Sequence, residues 1–192
     1  MNMKTVMIVM LSAGLAACAG PEERPEDRIP SWVADPQGEV SDGLAATECV
    51  PASDQFSIDR SEAVALTRQS MAMQIEVAVE AMDETYQQQT RGADGEAVSG
   101  ATFQSVSRQL TDQTLSGLRV NRTGYEVINE QRQLCTMLVM GESSMRQLFD
   151  EILAASERPV AGQDEAALWE QFRHAQARDE MDRSLERRRG GD

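Results

Sequence analysis

The sequence predicts an α+β fold: a small, mainly antiparallel sheet with helices packed on one face. Three patterns point there. Residues 60–88 carry apolar side chains at helical spacing. Residues 118–129 and 133–140 read as two strands joined at Glu130-Gln131-Arg132, a loop length compatible with a hairpin. Met145, Leu148, Phe149, Ile152 and Leu153 stand at i, i+3, i+4, i+7 and i+8, the stripe of a helix lying on a sheet. The organisation expected is residues 1–17 as a cleaved signal, 18–29 as a flexible tether, 30–158 as the α+β domain, and 159–192 as a charged C-terminal helical tail.

The N-terminus predicts export. Met1 to Lys4 supplies a basic start, and Thr5 to Ala13 an apolar segment too short for a bilayer, which takes about 20 residues to span. Leu15-Ala16-Ala17-Cys18 then matches the bacterial lipobox, in which the cysteine becomes the first mature residue and accepts the acyl chains. An ordinary secretory signal with an incidental cysteine is the alternative. After Cys18, the stretch Ala-Gly-Pro-Glu-Glu-Arg-Pro-Glu-Asp-Arg-Ile holds too little apolar surface to fold alone and reads as an extended tether.

Charge narrows the partners. The chain has 18 Lys+Arg against 32 Asp+Glu, and Lys4 would leave with the signal, so the mature balance is 17 minus 32, or −15. Nucleic acid is not expected as a partner, and attachment to a membrane is expected through acyl chains and not through attraction to anionic lipid. The mature chain contains no lysine; nothing in the sequence explains this.

With Cys18 acylated, Cys49 and Cys135 remain. An exported protein meets an oxidising compartment, so a Cys49–Cys135 disulfide is expected, with two buried free thiols as the alternative.

Along the domain, Trp32 lies between Pro30 and Pro36 and is expected to pack at the domain edge. Gly43 to Val50, closed by Pro51, reads as a strand. Asp59 followed by Glu62 resembles a capping box, with Ser61 as a competing cap. The helix beyond it presents Val64, Met71, Ile75, Ala78 and Met82, a face widened by Leu66, Met73 and Val77. Arg91 to Gly95 should break this helix, and Phe103, Val106 and Leu110 mark a second one over 99–116, stopped at Gly117. In the strand at 118–129 the apolar parity changes between Val120 and Tyr125, which predicts a bulge near Thr123-Gly124. Leu134 to Met140 is apolar on both faces, as a central strand requires. Ser144 and Gln147 are candidate caps for the helix at 143–156, which Pro159 and Gly162 should stop. The segment after Gln163 carries Trp169, Phe172 and Leu185 without a clean stripe, so it reads as helical and weakly anchored.

No catalytic constellation is visible. His174 is the single histidine, set between Arg173 and Arg178 with no cysteine near it, so a zinc site lacks its usual ligands. No glycine-rich phosphate loop occurs, and the abundant carboxylates lie in the tether or on charged helical faces. The chain is therefore expected to be no enzyme and to need no cofactor or metal.

The order Leu-Ala-Ala-Cys at 15–18, Pro-Ser-Trp-Val at 30–33, a glycine-led strand, an Ala-rich helix from about residue 60 and the Tyr125 to Met140 hairpin resembles the LPP-twenty family of bacterial outer-membrane lipoproteins, which includes flagellum-associated members. The resemblance runs from about Cys18 to Gly141, by element order more than by long motifs; Cys49 and Cys135 lie outside its pattern. It implies a non-enzymatic, lipid-anchored structural or scaffolding lipoprotein of the cell envelope, anchored at Cys18, self-assembling or binding envelope proteins. Ala19, a non-acidic residue after Cys18, implies sorting to the outer membrane. The alternative function is a periplasm-facing regulatory module for an envelope enzyme such as a peptidoglycan synthase.

Overall fold

The computed structural model describes residues 29–90 and 101–174. Cys18, the signal and nearly all of the tether lie outside the described residues, as do the segment expected to break the long helix and the chain end beyond 174.

The architecture is α+β. A short helix α1 (Ser31–Ala34) and a 3-10 turn (Pro36–Glu39) lead into strand β1 (Gly43–Pro51) and the long helix α2 (Phe56–Thr90). Helix α3 (Phe103–Gly117), the hairpin of β2 (Val120–Ile128) and β3 (Gln131–Gly141), and helix α4 (Glu142–Ser156) follow. A further helix, α5, begins at 162 and is helical to the last described residue, 174. The sheet is antiparallel throughout, with order β1-β3-β2, so β3 is the central strand its two-sided hydrophobicity predicts.

Alternation along β3 divides the interior in two, because successive side chains leave a strand on opposite faces. Leu134, Leu138 and Met140 point to the helical side. There Leu138 and Met140, with Leu44 and Ala46 of β1, meet Met71, Ile75 and Met82 of α2 and Met145, Phe149 and Ile152 of α4 in one core, while Leu134 packs with Val50 and Ala63 in a smaller cluster. Thr136, on the same face, is fully buried but satisfied: its hydroxyl lies 2.9 Å from that of Thr67 on α2, which also donates to the Ala63 carbonyl at 2.7 Å. Cys135 and Met137 point the other way and form a smaller cluster with Ala45 and Trp32. Trp32 is 2% exposed, as expected of a residue packed at the domain edge. The Thr47 hydroxyl donates to its carbonyl at 2.7 Å, and the guanidinium of Arg122 lies 4.6 Å over its ring.

At the edge of β1, the Gln37 amide group replaces a neighbouring strand: Nε2 donates to the Gly43 carbonyl at 2.8 Å and Oε1 accepts from the Ala45 amide at 3.0 Å. Gly43 itself has φ 124°, and a Cβ there would lie 2.2 Å from the Met140 carbonyl oxygen, so only glycine fits where β1 begins.

Several local expectations are corrected. Helix α2 starts at Phe56, ahead of the expected cap at Asp59, and Asp59 is instead a buried residue of its first turn that reaches back to Ser53. Its core line runs through Ala63 and Thr67 into Met71, Ile75, Ala78 and Met82, leaving Leu66 and Met73 exposed at 38% and 53%. On α3 the buried line is Phe103, Ser107, Thr111 and Leu115, one position beyond Val106 and Leu110, which are partly buried beside it. Ser107 and Thr111 face α2, where they line a groove with Ala72 and Met73.

The hairpin turn is two residues long, not three: Asn129 and Glu130 both have positive φ, 51° and 63°, the pairing whose twist suits adjacent antiparallel strands. The bulge in β2 falls between Val120 and Arg122, nearer the strand start than Thr123-Gly124; it supplies the parity change that the sequence demands. Helix α4 has Gly141 at its N-cap with no side-chain cap, so Ser144 and Gln147 do not serve; Gln147 bonds Glu151 instead at 2.9 Å. Over its described part the C-terminal helix is firmly held, not weakly anchored, since Leu168 and Phe172 are buried in the main core and Trp169 packs edge-on against Phe149.

Candidate functional site

The two cysteines expected to pair are brought together by register alone. Cys49 of β1 stands directly opposite Cys135 of β3, and the two are joined as a disulfide with Cα atoms 4.0 Å apart and 86 residues of separation. The bridge lies beside Trp32, on the face away from the long helices.

His174 closes the described part of α5, with Glu170 of the same helix as its partner. Its Nε2 lies 3.1 Å from Glu170, whose carboxyl Arg173 and then His174 hold below the usual carboxylate range. No group of three or more His, Cys, Asp or Glu residues with metal-binding geometry occurs among the described residues. No described helix is long and apolar enough to cross a membrane.

Two charged clusters were not foreseen. The first is internal and structural. Asp83 of α2 pairs with Arg158 at 2.7 Å, both side chains nearly buried, and the same carboxylate accepts the Phe103 and Gln104 amides at 3.2 and 3.0 Å. A carboxylate at a helix N-terminus complements the free amides and the dipole there, so Asp83 caps α3 from a neighbouring helix. The Arg158 guanidinium also lies against both Tyr86 and Phe103, 4.8 and 4.7 Å from their ring centres. The Asp83 carboxylate and the Arg158 Nη1 are engaged in joining α2, α3 and the connection after α4, and the Arg158 Nε–H is buried without a hydrogen-bond partner.

The second cluster lines a groove. Ser57, Arg60, Ser61, Val64, Ala65 and Arg68 of α2 form one wall, and Leu118, Arg119 and Val120, where α3 passes into β2, form the other. None of the three arginines makes an ion pair among the described residues, in a chain whose formal net charge is −14. Arg68 is half-buried, and its Nε–H is shielded from solvent with no hydrogen-bond partner. Asp112 lines the adjoining groove with Arg68 without pairing to it. Chemically, this is a set of unopposed planar donors and two hydroxyls facing one concavity. The signal available in sequence was weak: Arg60 and Arg68 stand eight apart on one helix, but Arg119 is 51 residues further on and joins them only through the fold.

No protein family, characterised protein or solved structure is significantly similar to the chain.

Proposed function

We propose that this protein is a lipid-anchored, non-catalytic scaffolding lipoprotein of the bacterial outer membrane, acylated at Cys18, whose α+β domain binds envelope proteins or copies of itself, in flagellum-associated structures among others. The observation that carries the reading is the order of basic start, short apolar run and Leu15-Ala16-Ala17-Cys18. The Cys49–Cys135 bridge supports it, because disulfides persist in exported proteins and are rare where thiols are kept reduced. A third support is the engagement of the buried charges in packing: Asp83 and Arg158 neutralise one another and cap a helix, and Asp59 holds Ser53, so neither carboxylate is set to act on a substrate.

The test is metabolic labelling with a palmitate analogue followed by membrane fractionation of the wild type and Cys18→Ala. The wild type should carry the label and sediment with outer membrane, whereas Cys18→Ala should lose both label and mature size. An unlabelled wild type, or a variant that stays processed and sedimentable, would overturn the anchor.

A further inference from the structure

We propose that the groove formed by Arg60, Arg68 and Arg119 is a binding site for a phosphate group. The inference is independent of the lipid anchor and rests on the described domain alone.

Three features converge on this site. The groove gathers cationic side chains from two elements distant in sequence, and none of them has a carboxylate partner among the described residues. Elsewhere the described arginines are largely engaged: Arg146 with Asp150 and Glu165, Arg158 with Asp83, Arg173 with Glu170, and Arg122 and Arg132 over the rings of Trp32 and Tyr125. In an acidic protein, three unopposed arginines in one concavity make a local positive potential that low-dielectric walls focus. Second, the Arg68 Nε–H is a buried donor lacking an acceptor, and such a group costs free energy until one is supplied. Third, the β-bulge between Val120 and Arg122 sits immediately after Arg119, at the point where the chain turns from α3 into the edge strand. Bulges re-aim neighbouring side chains and are common beside functional sites.

The donor chemistry selects phosphate. Guanidinium groups present fixed forks that match the paired oxygens of a phosphate, and several forks together favour a tetrahedral oxyanion over a single planar carboxylate. The Ser57 and Ser61 hydroxyls on the same wall add short-range donors. A free phosphate and the phosphodiester of a lipid headgroup offer the same chemistry, so both are sources to be told apart.

The experiment uses the mature full-length protein in detergent and follows the arginine Nε–H signals by NMR while inorganic phosphate is added at constant ionic strength. The Arg68 signal should shift saturably in the submillimolar to millimolar range. The double variant Arg60→Gln/Arg119→Gln should weaken binding at least tenfold, and Arg108→Gln, in the separate groove that Ser107 and Thr111 line between α2 and α3, should leave it unchanged. Arg60 and Arg119 are exposed, so these changes preserve the fold, which the unchanged amide spectrum verifies. In nanodiscs of phosphatidylglycerol or of phosphatidylcholine, both of which carry the phosphodiester, a shift of the same signals without added phosphate assigns the site to a lipid headgroup; a shift only with added phosphate assigns it to a soluble ligand. A non-saturating response, an equal response to chloride, or unaltered affinity in the double variant overturns the proposal.

Discussion

On the helical side of the sheet, Leu138 and Met140 lie beneath α2 and α4, in a core that continues through Phe149 to Leu168 and Phe172, and Leu134 packs with Val50 and Ala63 beside it. On the opposite side, Cys135 and Met137 are covered by Trp32 and its neighbours from the short segment before β1. The helical side thus rests on many interlocking apolar contacts, and the other on one large aromatic, a cation over its ring and a covalent link between β1 and β3. The difference shows how a thin layer can be kept closed: when the covering segment is too short to bury a broad surface, a cross-link that constrains the unfolded chain substitutes for area.

The largest expected effect concerns that cross-link. Closing a loop of 86 residues should stabilise the fold by about 4–5 kcal/mol in the chain-entropy account, so the Cys49→Ala/Cys135→Ala variant should unfold at a markedly lower urea concentration. An unchanged midpoint would mean that the thin face closes without its bridge.

Single side chains come next. Phe149→Ala and Trp32→Ala should each cost about 3–5 kcal/mol, since both remove a fully buried aromatic. Their coupling to the bridge should differ. Trp32 shares a cluster with Cys49 and Cys135, so Trp32→Ala combined with loss of the bridge should depart from additivity by about 1 kcal/mol or more, whereas Phe149→Ala should add to it. Equal additivity for both, measured by urea denaturation, would break the division of the interior into two faces.

The smallest effect lies at the start of α2. The Ser53 hydroxyl and then its amide, donating to Asp59, hold that carboxyl below its ordinary value of 3.8. The charged form is therefore favoured in the fold: its contribution is complete above the unfolded value and is lost as pH falls through the lower folded value. The stability difference between wild type and Asp59→Asn should be constant from neutral pH to about pH 5 and shrink below 3.8. A difference that persists unchanged to the acid limit would show that Asp59 acts through shape and not charge.

What could be read from the residues, and what could not, follows the range of the interactions. The central position of β3, the strand at 43–50 and the stripe on α4 were legible because apolar alternation and helical spacing are local consequences of which faces are buried. The buried line of α3 was not, because Ser107 and Thr111 are polar and carry no apolar signal that would mark them as facing α2. The start of α2 was misplaced because a carboxylate three residues before Glu62 looks like a cap, and only the path of the chain at Ser53 shows that it faces backward. The groove of Arg60, Arg68 and Arg119 was invisible for a related reason: its walls are far apart in sequence, and an unpaired arginine looks like any other until its surroundings are known.

By itself, then, the sequence determined the α+β class, the acidic net charge and the alternation that buries β3 on both sides. The tertiary structure decided the rest: the register that sets Cys49 against Cys135, the capping of α3 by Asp83 of another helix, and the gathering of three arginines at the turn from α3 into β2. The physical reason is that burial patterns repeat every two or 3.6 residues and can be read along the chain, whereas pairing between side chains tens of residues apart exists only once packing has chosen which surfaces meet.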